Sequence, residues 1–127
     1  MARSRALSIR AFLPAKDLSE SRRFYSELGF VEEWGDASAC GMFIDDCGII
    51  LQQHYVKEHA ENTMMALSVE NLDAWWTHIQ ALDLKRRYGL GIVKAPEMQP
   101  WGIRVLYLND PTGVLWHIAE YSKPQGG

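Results

Sequence analysis

The chain has 127 residues, 47% hydrophobic and 23% charged, with a formal net charge of −3. That length suits one domain that buries a core without metal or disulfide staples, and no apolar run approaches the roughly 18 to 20 residues of a membrane span. The mild acidity argues against a nucleic-acid partner and for a neutral or cationic ligand.

The first residues, Met1-Ala2-Arg3-Ser4-Arg5, carry charge but no apolar stretch of the secretory kind follows them, so a cytoplasmic location is expected. An apolar strand-like run then leads to Asp17, whose side-chain oxygen can accept an orphan amide at a helix start, and Glu20 three residues on strengthens that cap. The helix carries Phe24-Tyr25 and ends at Leu28-Gly29-Phe30. Strands are expected at 31–34, 40–44 and 49–54, with Asp45-Asp46-Cys47-Gly48 as a hairpin turn. Asp45 and Asp46 could be taken for a catalytic carboxylate pair, but consecutive residues in a turn or strand diverge. Cys40 and Cys47 lack CxxC spacing and read as half-buried, reduced thiols. His54 and His59 have no carboxylates at ligand spacing and read as surface residues.

The second half echoes the first. Asn71 repeats Asp17, and Leu82 repeats Leu28, each at an offset of 54 residues. Leu72, Trp75, Trp76, Ile79 and Leu82 fall along one face of a second helix, which predicts core packing for the tryptophan pair and a solvated His78 on the other side. The basic cluster Lys85-Arg86-Arg87 reads as a solvated loop after that helix. A poorly defined strand near 92–93 follows, then strands at 103–109 and 114–120 joined by the turn Asp110-Pro111-Thr112-Gly113. Residues 95–102 hold two prolines and a glycine and read as an irregular loop, and 122–127 as a frayed tail. The predicted fold class is therefore α+β: one domain, 1–127, made of two βαβββ modules at 6–56 and 62–121 with cupped mixed sheets.

Asp17-Leu18, Phe24-Tyr25, Leu28-Gly29-Phe30 and Asp110-Pro111-Thr112-Gly113 resemble the signature of the vicinal oxygen chelate superfamily of glyoxalases, extradiol dioxygenases, fosfomycin-resistance enzymes and bleomycin-resistance proteins. Residues 95–102, ending Gln99-Pro100-Trp101-Gly102, look most like the bleomycin-resistance branch. The superfamily's enzymes hold a metal with His and Glu on the first and last strand of each module. By the internal repeat those positions fall at Arg10, Gln52, Met64 and His117, of which only His117 is a plausible ligand and Arg10 is a fixed cation. No metal and no cofactor are expected at these positions.

The resemblance implies a non-catalytic protein that sequesters bleomycin-like or other aromatic antibiotics, as a homodimer with clefts at the subunit interface. Leu13-Pro14 suits an N-terminal strand that crosses to the partner, and ordinary packing of that strand suits it equally. The expected ligand-binding set is Trp101 and Gly102 in the loop, Trp34 and Phe43 as further aromatic surface, and Gln52, Met64 and His117 as inward positions. Arg104 either contacts the ligand or pairs on the surface; His117 either meets the ligand or a neighbouring group. A metal-dependent glyoxalase- or dioxygenase-type enzyme with a displaced site, and a binder of another metabolite, are the competing functions.

Overall fold

Asp17 and Asn71 start the two long helices as their side chains allow. In the computed structural model, which describes residues 2–121, Asp17 Oδ1 accepts the Glu20 amide at 3.2 Å and Asn71 Oδ1 accepts the Ala74 amide at 2.9 Å. The first module runs β1 (Ala11–Ala15), α1 (Leu18–Leu28), β2 (Val31–Gly35), β3 (Ala39–Ile44) and β4 (Cys47–Gln53). A short helix, α2 (Lys57–Glu61), leads to the second: β5 (Met64–Val69), α3 (Leu72–Leu82), α4 (Leu84–Tyr88), β6 (Val93–Met98), β7 (Arg104–Asn109) and β8 (Leu115–Glu120). Each module makes a four-stranded mixed sheet, in the order β1-β4-β3-β2 and β5-β8-β7-β6. First and last strands pair in parallel and the other neighbours are antiparallel.

One face of each sheet packs on helices. Leu13, Ala15, Met42, Ile49 and Leu51 from the first sheet and Leu106, Leu108, Trp116 and Ile118 from the second share a single buried cluster with Phe24, Leu28, Leu72 and Ile79. Fully burying one such aliphatic or aromatic side chain is worth about 1.5 to 3 kcal/mol, so this shared core binds the modules together more than any surface pair does. Trp75 and Trp76 pack half-buried at its margin.

The turn at 110–113 supplies a polar tie through that core. Asp110 Oδ1 accepts the amides of Thr112, Gly113 and Val114 at 2.9 to 3.0 Å. Its Oδ2 accepts from the Tyr25 hydroxyl at 2.7 Å, and Tyr25 in turn accepts from Trp116 Nε1 at 2.8 Å. Burial pushes the Asp110 carboxyl above its ordinary range against the pull of these donors, and burial likewise raises the Tyr25 phenol well above its own, which keeps it a donor. Thr112 Oγ1 accepts the Lys16 amide at 3.0 Å, so the turn also plugs the β1–α1 junction.

Several expectations are corrected. Residues 95–98 are not loop: β6 runs through Pro96 to Met98, with a register shift between Lys94 and Glu97. It is an edge strand, and a bulge on an edge tolerates a residue that donates no ladder hydrogen bond. Lys85-Arg86-Arg87 lie in α4, and Arg87 makes a two-pronged pair with Glu27 of α1 at 2.6 and 2.8 Å. His78 is not merely solvated: its Nε2 lies 3.0 Å from the Glu27 carbonyl and 3.2 Å from that of Leu28, capping the end of α1 from the other module. Leu13 and Pro14 sit in β1, paired with β4 of the same chain, the ordinary packing that was one of the two arrangements expected of that strand. The 122–127 tail lies outside the described residues.

The cysteines are not both half-buried: Cys40 is in the core, where burial raises its thiol, and Cys47 is exposed at the start of β4. A maleimide is therefore expected to label Cys47 in the native chain and Cys40 only on unfolding, read as one adduct and then two by intact mass.

Candidate functional site: two concave sheet faces

The faces turned away from the helices form two shallow cups. Residues directly opposed across a ladder point to the same side, so register defines the rows of each cup. In the first, Phe12, Ile50, Gly41 and Trp34 form one row from edge to edge. The next row holds Gly48, Phe43 and Val31, and Gln52 opposes Ala39 in a third. The glycines serve close approach: the Trp34 indole occupies the place of a Cβ on Gly41, and the Arg10 side chain lies where a Cβ on Gly48 would stand 2.7 Å from its Nε.

Arg10 Nη1 and Nη2 donate to Glu33 Oε1 and Oε2 at 2.9 and 3.0 Å. Arg10 precedes β1 and Glu33 lies in β2, the two edges of this sheet, so the pair straps the cup from one rim to the other. The bulge between Glu32 and Trp34 lets both Glu33 and Trp34 reach this side, while Glu32 pairs with Arg22 of α1. The hydrogen bonds from Arg10 hold the Glu33 carboxyl below the usual range.

In the second cup Ala66 opposes His117, which opposes Tyr107. The Tyr107 and His117 rings meet edge-on at 4.7 Å. His117 Nε2 is buried without a hydrogen-bond partner among the described residues. Met64 lies one step along the same face, largely exposed.

The structure thus gathers Trp34, Phe43 and Gln52 with Arg10 in the first cup, and Met64 with His117 in the second. Gln53, next to Gln52, points the other way: its Oε1 accepts the Leu18 amide at 2.8 Å. Trp101 and Gly102 form the tip of the β6–β7 hairpin, where Gly102 donates to the Gln99 carbonyl at 2.9 Å and Trp101 is 62% exposed. Arg104 is brought into neither cup. Strand alternation turns it to the helix side, where it grips Asp73 of α3 at 3.0 and 3.1 Å and its amide donates to Glu120 at 2.6 Å. Phe12, Tyr107 and the cradling glycines were not anticipated, although a glycine inside a strand pattern is itself a mark of close approach.

A divalent ion does not fit these positions. Arg10 is a cation committed to Glu33, Gln52 and Met64 offer no strong donor, and His117 stands alone. Among the described residues no group of three or more His, Cys, Asp or Glu is placed to hold a metal ion. A separate cleft of about 620 Å³ lies where the β3–β4 turn meets the start of α3, lined by Asp45, Asp46, Glu70 and Trp75 among others; it contains none of the expected site residues. No helix among the described residues is long and apolar enough to cross a membrane.

The sequence signature of the Glyoxalase/Bleomycin resistance protein/Dioxygenase superfamily matches residues 8–118. The chain belongs to that superfamily. Its fold is similar to the bleomycin-binding protein of bleomycin-producing Streptomyces verticillus, solved with copper(II)-bleomycin, at 22% identity and a TM-score of 0.79 over 94% of this chain and 100% of that one. The bleomycin resistance determinant encoded on the transposon Tn5 is also 22% identical, with a TM-score of 0.77 over 91% and 98%. A lactoylglutathione lyase from Agrobacterium tumefaciens is 17% identical, with a TM-score of 0.67 over 93% and 95%. At these identities the likeness to the solved structures is one of fold, which drug binders and a lyase share. No curated protein sequence matches the chain.

Proposed function

We propose that this chain is a non-catalytic binding protein that sequesters bleomycin-like or other planar aromatic antibiotics in a cleft between two copies. The observation that carries this is the first cup: an open floor of Phe12, Trp34 and Phe43, with the Trp34 indole packed against Gly41, in a donor set unsuited to a divalent ion. His117 Nε2, buried and unpartnered beside Tyr107, supports a polar contact from the second cup. Each cup is a shallow half-site, and closing one over the other takes a second copy. Residues 2–10 lie in no helix or strand, with Leu7 89% and Ile9 95% exposed, which supports an arm reaching to that partner in place of β1.

Titration of metal-free protein with metal-free bleomycin, followed by tryptophan fluorescence and calorimetric heat, tests the reading. Saturation at about one drug per chain with a submicromolar constant, at least about 8 kcal/mol, is expected. Absence of binding retires sequestration of bleomycin. Divalent metal retained at about one per chain, with an activity abolished by chelation, would make the protein an enzyme instead.

A further inference from the structure

The charge pair across the first cup is held unequally at its two ends. Arg10 lies flat on Gly48, where a Cβ would come within 2.7 Å of Nε and 3.0 Å of Cζ, so the glycine is what seats the guanidinium on the sheet. Its side chain is 24% exposed against 41% for Glu33, which stands at the bulge of an edge strand exposed along its length. If the pair parts, Glu33 has water to move into, while Arg10 keeps its cradle beside the row of Phe12, Ile50 and Trp34.

We propose that Arg10 anchors the carboxylate of a planar aromatic acid whose ring lies on that row, and that Glu33 is the internal carboxylate such a ligand displaces. The two-pronged geometry that Glu33 now satisfies is what an arenecarboxylate reproduces. Exchange is easy because a solvent-exposed ion pair is screened and weakly held. Glu32 does not compete, since it faces α1 and pairs with Arg22. The proposal rests on the first cup being a ligand surface, and not on bleomycin being the ligand.

The test titrates 2-naphthoate, 2-naphthamide and 2-naphthylmethylammonium into the full chain at low ionic strength, by calorimetry and tryptophan fluorescence. Naphthoate is expected to bind about two- to fivefold tighter than either relative, the gain an exposed two-pronged pair offers once Glu33 has moved aside. Arg10→Gln abolishes that preference, and Gly48→Ala, which unseats the guanidinium, does the same if Arg10→Gln fails to fold. Glu33→Gln tightens naphthoate several-fold, which loss of a merely structural pair would not do. No naphthoate binding, a preference for the ammonium, a preference that survives both Arg10→Gln and Gly48→Ala, or no tightening in Glu33→Gln overturns the proposal. Bleomycin titrated alongside separates the two readings: binding of bleomycin without naphthoate removes the anchor alone, and naphthoate without bleomycin removes sequestration of that drug alone.

Discussion

Asp110→Ala is expected to lower the stability of the fold by about 3 to 4 kcal/mol, the range in which loss of a buried hydrogen-bond network falls. The carboxylate accepts four hydrogen bonds, three of them buried: the amides of Thr112 and Val114 and the Tyr25 hydroxyl, with the part-buried Gly113 amide as the fourth. Truncation leaves the Thr112 and Val114 amides and the Tyr25 hydroxyl without their acceptor, while the Gly113 amide keeps its bond to the Asp110 carbonyl at 3.1 Å. Tyr25→Phe keeps the ring packing and removes one donor to Asp110 and one acceptor for Trp116, so a smaller loss of about 1 to 2 kcal/mol follows. Urea unfolding of the three proteins checks this, and a loss below about 1 kcal/mol for Asp110→Ala would mean that the tie is dispensable.

Trp101→Ala is expected to weaken bleomycin binding by about 1 to 3 kcal/mol, the range for an aromatic anchor, while leaving the urea midpoint unchanged. The separation of the two effects comes from position. Trp101 stands on the β6–β7 hairpin tip and contributes nothing to the core, unlike Trp116, which is buried and hydrogen-bonded. A variant with full affinity would remove Trp101 from the ligand contacts, and a variant that unfolds early would make it a brace for the hairpin.

The fold was legible because both modules announce themselves locally. Asp17 and Asn71 cap helices with the side-chain chemistry expected of them, and the apolar stripe of α3 appears at helical spacing. What escaped depended on partners distant in sequence. β6 passes through Pro96 because it forms a sheet edge, which no window of residues reveals. α2 and α4 are five residues each, too short for a periodic signal.

Which sheet face each candidate residue occupies was legible in part and for the same reason. The resemblance and the internal repeat put Gln52 and His117 at matching positions of the two last strands, both turned away from the helices, but Arg104 lies one residue out of phase with Val105 and Tyr107 and was read without that phase. The Arg10–Glu33 strap joins residues 23 apart across four strands, and it becomes visible only once β1 and β2 are known to be opposite rims.

The Asp110 tie bears on how the chain is made. Tyr25 and its acceptor are 85 residues apart, and the Lys16 amide is satisfied by Thr112, 96 residues later. At about 5 to 20 residues per second on the ribosome, the first module is exposed for several seconds before its polar core has partners. Until then the Tyr25 hydroxyl has only water in place of Asp110 and Trp116, and the apolar face that packs on the second module has no cover. The first half therefore waits for the second, and the interval before residue 112 emerges is when a nascent chain of this protein most needs a chaperone.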